Sequence, residues 1–191
     1  FTRGRNLRKI GQHAQDTAEL FFDNVRVPAS HLLGDEGQGF KYLMQKLAQE
    51  RLLVSVQCQA RAEAALQWTV DYVQERKAFR QRLADFQNTR FKLAALATDL
   101  QAGRAYCDQL IAQHLAGELD AVGAAAGKLW HSELLGRVTD ECLQLFGGYG
   151  YMAEYPIARA YADARIERIY AGTSEIMKEI IARDLLDAPK S

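Results

Sequence analysis

Excess charge of either sign is missing from this chain. Its 191 residues hold 24 Lys and Arg against 24 Asp and Glu, so no basic field selects nucleic acid or an anionic membrane. Cysteine is scarce: Cys58, Cys107 and Cys142 are odd in number and widely spaced. That argues against a disulfide framework and for free core thiols in a reducing compartment. No apolar run approaches the length of a membrane span, and no signal peptide is visible. The four histidines, His13, His31, His114 and His131, form no metal-ligand spacing with one another or with a cysteine pair, so no metal site is expected. There is no internal repeat and no low-complexity segment. The chain opens at Phe1, without a methionine, inside what reads as a strand, and is expected to be a piece of a larger protein.

What is present divides near residue 36. The first part carries β-type alternation at Leu20, Phe22, Val25 and Val27, with Asp23-Asn24 between them and Pro28 ending the run. A strand pair of this size needs a larger sheet to join. From Gly39 onward the periodicity turns helical. Long helices are predicted at about 38–75, 86–116 and 120–146, the third stopped by Gly147-Gly148-Tyr149-Gly150. A short helix near 156–165 and a last one capped by Thr173 complete the pattern. The inward faces are expected to hold Leu93, Leu96, Leu100, Cys107, Leu110 and Ile111 on the second helix, and Trp130, Leu134, Val138, Cys142 and Leu145 on the third. The predicted fold class is mainly α: an up-and-down four-helix-type bundle over residues 37–187, preceded by a short β segment over 1–36 and followed by a disordered tail, 188–191.

One carboxylate breaks the pattern. Phe40, Leu43, Met44, Leu47, Val54, Cys58, Leu66 and Val70 mark the core stripe of the first long helix, and Glu50 falls within it, beside Arg51. A charge on a buried face is costly unless paired or neutralised. The residues alone leave two readings open. Glu50 is a helix-edge or ion-paired structural group, or it is a general base made more basic by a dry pocket. The basic stretch of Arg76, Lys77, Arg80 and Arg82 is likewise either a solvated corner or an anion contact.

These signals occur together in one order. The runs Gln49-Glu50-Arg51-Leu52, Glu75-Arg76-Lys77-Ala78-Phe79, Gln144-Leu145-Phe146-Gly147-Gly148-Tyr149-Gly150-Tyr151 and Ile169-Tyr170-Ala171-Gly172-Thr173-Ser174-Glu175-Ile176 resemble the acyl-CoA dehydrogenase family. So do His13-Ala14-Gln15-Asp16-Thr17 and Leu20-Phe21-Phe22-Asp23-Asn24-Val25-Arg26-Val27-Pro28. The likeness extends to about Leu186 and corresponds to the last strands of that family's middle β-barrel domain followed by its C-terminal helical bundle.

The resemblance implies an FAD enzyme that oxidises an acyl-CoA thioester to its trans-2-enoyl form. In many members the base is a Glu in the loop that here reads Tyr170-Ala171-Gly172-Thr173, a position filled by Ala171. In the subgroup resembling long-chain and isovaleryl-CoA dehydrogenases the base sits on the first bundle helix, and the matching residue is Glu50. Gln49, Arg51, Ala171 and Gly172 fall on substrate-contacting positions, with Arg51 orienting the loop or the base. Arg76, Phe79, Gln87, Gln144, Gly147 and Gly148 match contacts to an FAD bound mainly to a neighbouring subunit, and Thr173, Ser174 and Glu175 match contacts to the subunit's own FAD. A shared flavin implies a homotetramer built from two dimers, with an electron-transferring flavoprotein as acceptor. The implied location is a bacterial cytoplasm, or the mitochondrial matrix in a eukaryote. After Phe79 the family motif continues with Gly where this chain has Arg80, a departure that bears on the local turn. The competing readings are a non-catalytic helical oligomerisation module derived from the family, and an acyl-CoA oxidase using oxygen.

Overall fold

The computed structural model describes residues 1–187; the tail at 188–191 lies outside the described residues. Two short antiparallel strands come first, β1 (Thr2–Asn6) and β2 (Ala18–Phe21), with Thr2 opposite Phe21 and Arg3 opposite Leu20. Helix α1 (Gly39–Glu75) follows, then a small hairpin of β3 (Lys77–Ala78) and β4 (Gln81–Arg82), and helices α2 (Gln87–Leu115), α3 (Ala121–Phe146), α4 (Pro156–Ala164) and α5 (Ser174–Asp187).

The helix ends follow from local chemistry. Asp120 caps α3, its Oδ1 accepting from Gly123 N–H at 2.7 Å. Gly147, at φ 60°, ends α3 in the left-handed region. Pro156 opens α4, where its missing N–H leaves no bond unmade. Thr173 caps α5 as its sequence position predicts, with Oγ1 accepting from Ile176 N–H at 3.3 Å. The turn between β3 and β4 places both Phe79 and Arg80 at positive φ, 49° and 67°. This is the backbone of a tight two-residue hairpin, which glycine enters freely. Arg80 therefore occupies it at a cost of about 1–2 kcal/mol.

Helix α3 is the centre of the bundle and packs against α1, α2, α4 and α5. Its first half buries small residues, Ala124, Ala125 and Gly127, and its second half adds Leu134, Leu135, Val138 and Phe146 to a core shared with Cys58, Ala62 and Ala65 of α1, Leu96 and Leu100 of α2 and Ile157 of α4. Small side chains let the two long helices approach closely, and larger ones at the ends close the layer. Of the expected inward residues, Leu93, Ile111 and Leu145 are half-buried.

Three sequence expectations need correction. Phe40, Leu43 and Met44 are 75%, 63% and 46% exposed, because the first turns of α1 run past the elements it packs on. Glu50 is exposed as well, and the buried face starts at Arg51. Trp130 is 44% exposed: it lies at the margin of the α3 stripe, where a large ring overruns the small residues. Finally, β2 ends at Phe21, so Val25 and Val27 are not in a ladder; Asn24, at φ 47°, turns the chain out of extended geometry.

All three thiols are free and buried at 0% exposure. Burial pushes Cys58 and Cys107 well up, and pushes Cys142 up to about 11. Thiolate is the reactive form, so iodoacetamide at pH 8 should leave the native protein unmodified while alkylating all three sites after denaturation. Intact mass before and after unfolding checks this; rapid labelling of any one cysteine in the native state would contradict the packing.

Candidate active site

Glu50 sits on an edge of α1 together with Leu53, Gln57 and Arg61, which follow at three- and four-residue steps. The loop after the 3-10 turn Arg165–Arg168 lies against this edge, bringing Tyr170 and Ala171, and the β1–β2 connection adds Gln12 and Gln15. These residues line one cavity of about 400 Å³. Glu50 and Ala171, 121 positions apart in sequence, thus face the same space. Gln49 is exposed and does not line it.

Arg51 turns the other way. It is 6% exposed, and its Nε–H lies 3.4 Å from the Ala171 carbonyl oxygen, a long contact that ties the loop to α1. Burial lowers the guanidinium's pKa, an effect the Glu50 charge partly offsets. Arg51 thus bears on the loop from beneath. The loop backbone itself is unusual: Ala171 and Gly172 both have positive φ, 52° and 101°. A side chain at Gly172 would displace the Met177 methyl, 2.5 Å away, and the dihedral of 101° favours glycine whatever the space.

Neighbours without a sequence-assigned role complete the wall. Glu167 is fully buried, accepting from Arg61 at 2.5 Å and from the Tyr170 hydroxyl at 2.5 Å. Burial and the Glu167 charge push the Tyr170 phenol well up, so it stays protonated as a donor at neutral pH. Arg61 was detectable in principle, three helical turns after Glu50. Glu167 had no signal, because a lone Glu in a polar stretch reads as solvated. Beyond Gln12 and Tyr170 a second cavity of about 490 Å³ opens, floored by Ile10, Ile166 and Ile169 and edged by Arg8, Lys9 and Arg165.

The cofactor positions separate into groups. Arg76, Gln144, Gly147 and Gly148 come together with Tyr72, Tyr149 and Met152 around a cavity of about 570 Å³. The Arg76 guanidinium rides 5.1 Å from the Tyr149 ring centroid. A side chain at Gly147 or Gly148 would meet nothing within 4 Å, so the backbone there is open to close approach. One guanidinium and one amide beside an open stretch of glycine backbone suit a diphosphate. Phe79, 91% exposed, and Gln87 lie outside this cavity. Thr173, Ser174 and Glu175 open α5 elsewhere. There the Ser174 hydroxyl is committed inward to Glu133 Oε1 at 2.7 Å, which leaves backbone N–H groups as the outward donors. Backbone and Thr173 bonds lower the Glu175 carboxyl.

Residues 37–186 match the family described as acyl-CoA dehydrogenase, C-terminal domain. The chain is 51% identical over 186 residues to the long-chain specific acyl-CoA dehydrogenase, mitochondrial, of Sus scrofa, a match covering 97% of this chain and 43% of that protein. It is 41% identical to the short-chain specific acyl-CoA dehydrogenase of Megasphaera elsdenii, covering 97% and 49%. The crystal structure of an acyl-CoA dehydrogenase from Geobacillus kaustophilus superposes with a TM-score of 0.93 at 51% identity, covering 97% of this chain and 49% of that one. The chain spans about half the length of the relatives it matches.

The glycines of the two regions should respond differently to a methyl group. Gly172→Ala meets Met177 at φ 101° and should destabilise the fold by about 1–3 kcal/mol. Gly148→Ala enters open space and should stay within about 0.5 kcal/mol. Denaturant midpoints compare the two; equal effects would mean that the loop conformation is wrong.

Proposed function

Because this chain belongs to the acyl-CoA dehydrogenase family, we propose that it forms the C-terminal part of an FAD-dependent enzyme that converts an acyl-CoA thioester to its trans-2-enoyl form, with Glu50 as the base. One observation carries this reading. Glu50 faces the same cavity as Ala171, and Ala171, the loop position at which a carboxylate could have served, offers only a methyl group.

The α-proton of a thioester is too weakly acidic for a carboxylate unless the carbonyl oxygen is stabilised as charge develops. The loop is the source of that stabilisation. Ala171 lines the cavity with Glu50 and offers its own N–H to the thioester oxygen, while Arg51 holds the carbonyl of the same residue. Glu50 takes the α-proton from its fixed place on a helix, and its exposed edge lets it return that proton to water. Bound FAD would supply the acceptor for the hydride leaving the β-carbon. Arg76, Gln144, Gly147 and Gly148 are the residues that would hold its diphosphate, with Phe79 and Gln87 at the rim, and the α5 opening would serve a second flavin.

Glu50 and Arg76 are 26 residues apart on one helix, about 39 Å along its axis. No single flavin serves both, which supports a cofactor shared between subunits; the homotetramer built from two dimers follows from the family resemblance. An electron-transferring flavoprotein as acceptor, residues 1–36 as the end of a β-domain, and a cytoplasmic or mitochondrial-matrix setting belong to the same proposal. Long-chain and short-chain enzymes both stand among the relatives, so the substrate class is stated as acyl-CoA without a chain length.

In the full-length protein carrying this chain, Glu50→Gln should keep its flavin and its acyl-CoA affinity while flavin reduction slows at least about 10²-fold, the usual loss with a general base. Adding Ala171→Glu should restore part of the rate. Stopped-flow reduction of the bound flavin measures both, and near-normal reduction in Glu50→Gln would remove Glu50 from the mechanism.

Arg76→Ala should lower flavin content and oligomer mass together, and Arg76→Lys should recover only part, because an ammonium replaces a fork with a point charge. Unchanged flavin absorbance and unchanged mass would return Arg76 to a solvated corner.

A further inference from the structure

Lys128 is the largest fully buried side chain in the bundle, at 0% exposure on α3. Its Nζ donates to the Gly172 carbonyl oxygen at 2.8 Å. Arg51, rising from α1, faces the preceding carbonyl, that of Ala171. Two consecutive carbonyls of one loop therefore point inward at two buried cations carried by different helices. The peptides are trans, so the Gly172 and Thr173 N–H groups face away from those cations. Among the described residues neither N–H donates to a backbone carbonyl. The flanks of the loop are pinned separately, Tyr170 by Glu167 and Ser174 by Glu133.

From this geometry we propose that Lys128 is a positioning residue, which through the Gly172 carbonyl holds the Ala171–Thr173 loop with its N–H groups outward. The inference rests on the reading of that loop as part of the acyl-CoA site. A buried ammonium is a costly way to fill core volume. Burial indeed lowers its pKa, while the Glu167 and Glu133 carboxylates favour the charged form and Arg51 opposes it. An apolar chain of equal length would fill the same space without that cost. What the ammonium adds is directional: it fixes a peptide plane that two successive left-handed residues would otherwise leave weakly determined. A cation at a carbonyl oxygen also polarises the peptide, strengthening the adjoining Thr173 N–H as a donor.

The test uses the full-length protein carrying this chain, as Lys128→Met, which keeps length and removes charge and donor, and as Lys128→Arg, which restores both. Hydrogen exchange read by mass spectrometry follows the peptide spanning 169–177, without any need for turnover. Lys128→Met should speed exchange of that peptide by about tenfold while core peptides of α1 around Cys58 stay within about twofold, and Lys128→Arg should recover part of the protection. Flavin reduction at saturating acyl-CoA should fall by about tenfold or more with the acyl-CoA Kd within about threefold, as expected for lost alignment without lost binding. Unchanged loop exchange, or a uniform rise across the bundle, would overturn the proposal and leave Lys128 a core residue. Where Lys128→Met fails to fold, Lys128→Gln is read by the same two outcomes. A parent protein that dehydrogenates no acyl-CoA would sink the proposed function, while the exchange comparison still decides the role of Lys128.

Discussion

The close approach of α1 to α3 is the constraint on which everything else depends. Both helices bury small residues toward the core, Ala124, Ala125 and Gly127 on α3 and Cys58, Ala62 and Ala65 on α1, and little side-chain bulk keeps the helices apart. A side chain at Gly127 would run into Leu110 of α2, and one at Gly103 would meet the Gln59 amide at 2.5 Å, so the third helix is held equally close. At such distances a few long polar side chains are forced across the interface. His131 bridges from the Gly127 carbonyl, at 2.7 Å, to the Gly103 carbonyl of α2, at 3.0 Å. Gln59 reaches the Leu100 carbonyl at 2.9 Å. The nitrogens of these groups find backbone oxygens, which is how a narrow core tolerates them, while the Gln59 Oε1 is buried without a partner.

The same two helices carry both candidate sites. Helix α1 presents Glu50 along its length and Arg76 at its end. Helix α3 places Lys128 and Glu133 beneath the 170–174 loop and ends in the Gln144–Gly148 run. A shift of α1 against α3 would therefore move Glu50 relative to the loop. It would equally move Arg76 relative to the glycines of its cavity. Rigidity in the core becomes alignment at the surface, and the small-residue seam supplies it.

Helix bounds were legible in the sequence to within a residue or two because caps and stops mark them: Asp120, Gly147, Pro156 and Thr173 all act where their chemistry suggests. The burial of the Glu50 stripe was misjudged, because periodicity reports which residues share a face and not how far the neighbouring elements extend along it. Trp130 failed for a related reason, since a stripe has margins that the pattern does not draw. Glu50 and Ala171 could be paired only through resemblance, as no spacing rule links residues on different elements. Lys128 gave no signal at all. A lysine among alanines in a helix is ordinarily solvated, and only the placement of the Gly172 carbonyl reveals what it faces.

That placement bears on why a base on the helix and a bare loop are physically compatible. Ala171 at φ 52° already sits where a non-glycine residue is strained, and its carbonyl is turned toward Arg51. A loop so committed does one task well, presenting N–H groups in a fixed direction. A carboxylate at the same residue would have to share the turn with the very cation that orients it. Glu50 takes its backbone from the regular hydrogen bonds of α1, so its position does not depend on loop strain. The proposed base and the proposed oxyanion donors thus come from separately stabilised elements, and the geometry between them is set by helix packing. A carboxylate moved onto the loop keeps the donors but changes what holds the base, so its reactivity depends on whether Arg51 and Lys128 still fix the two carbonyls.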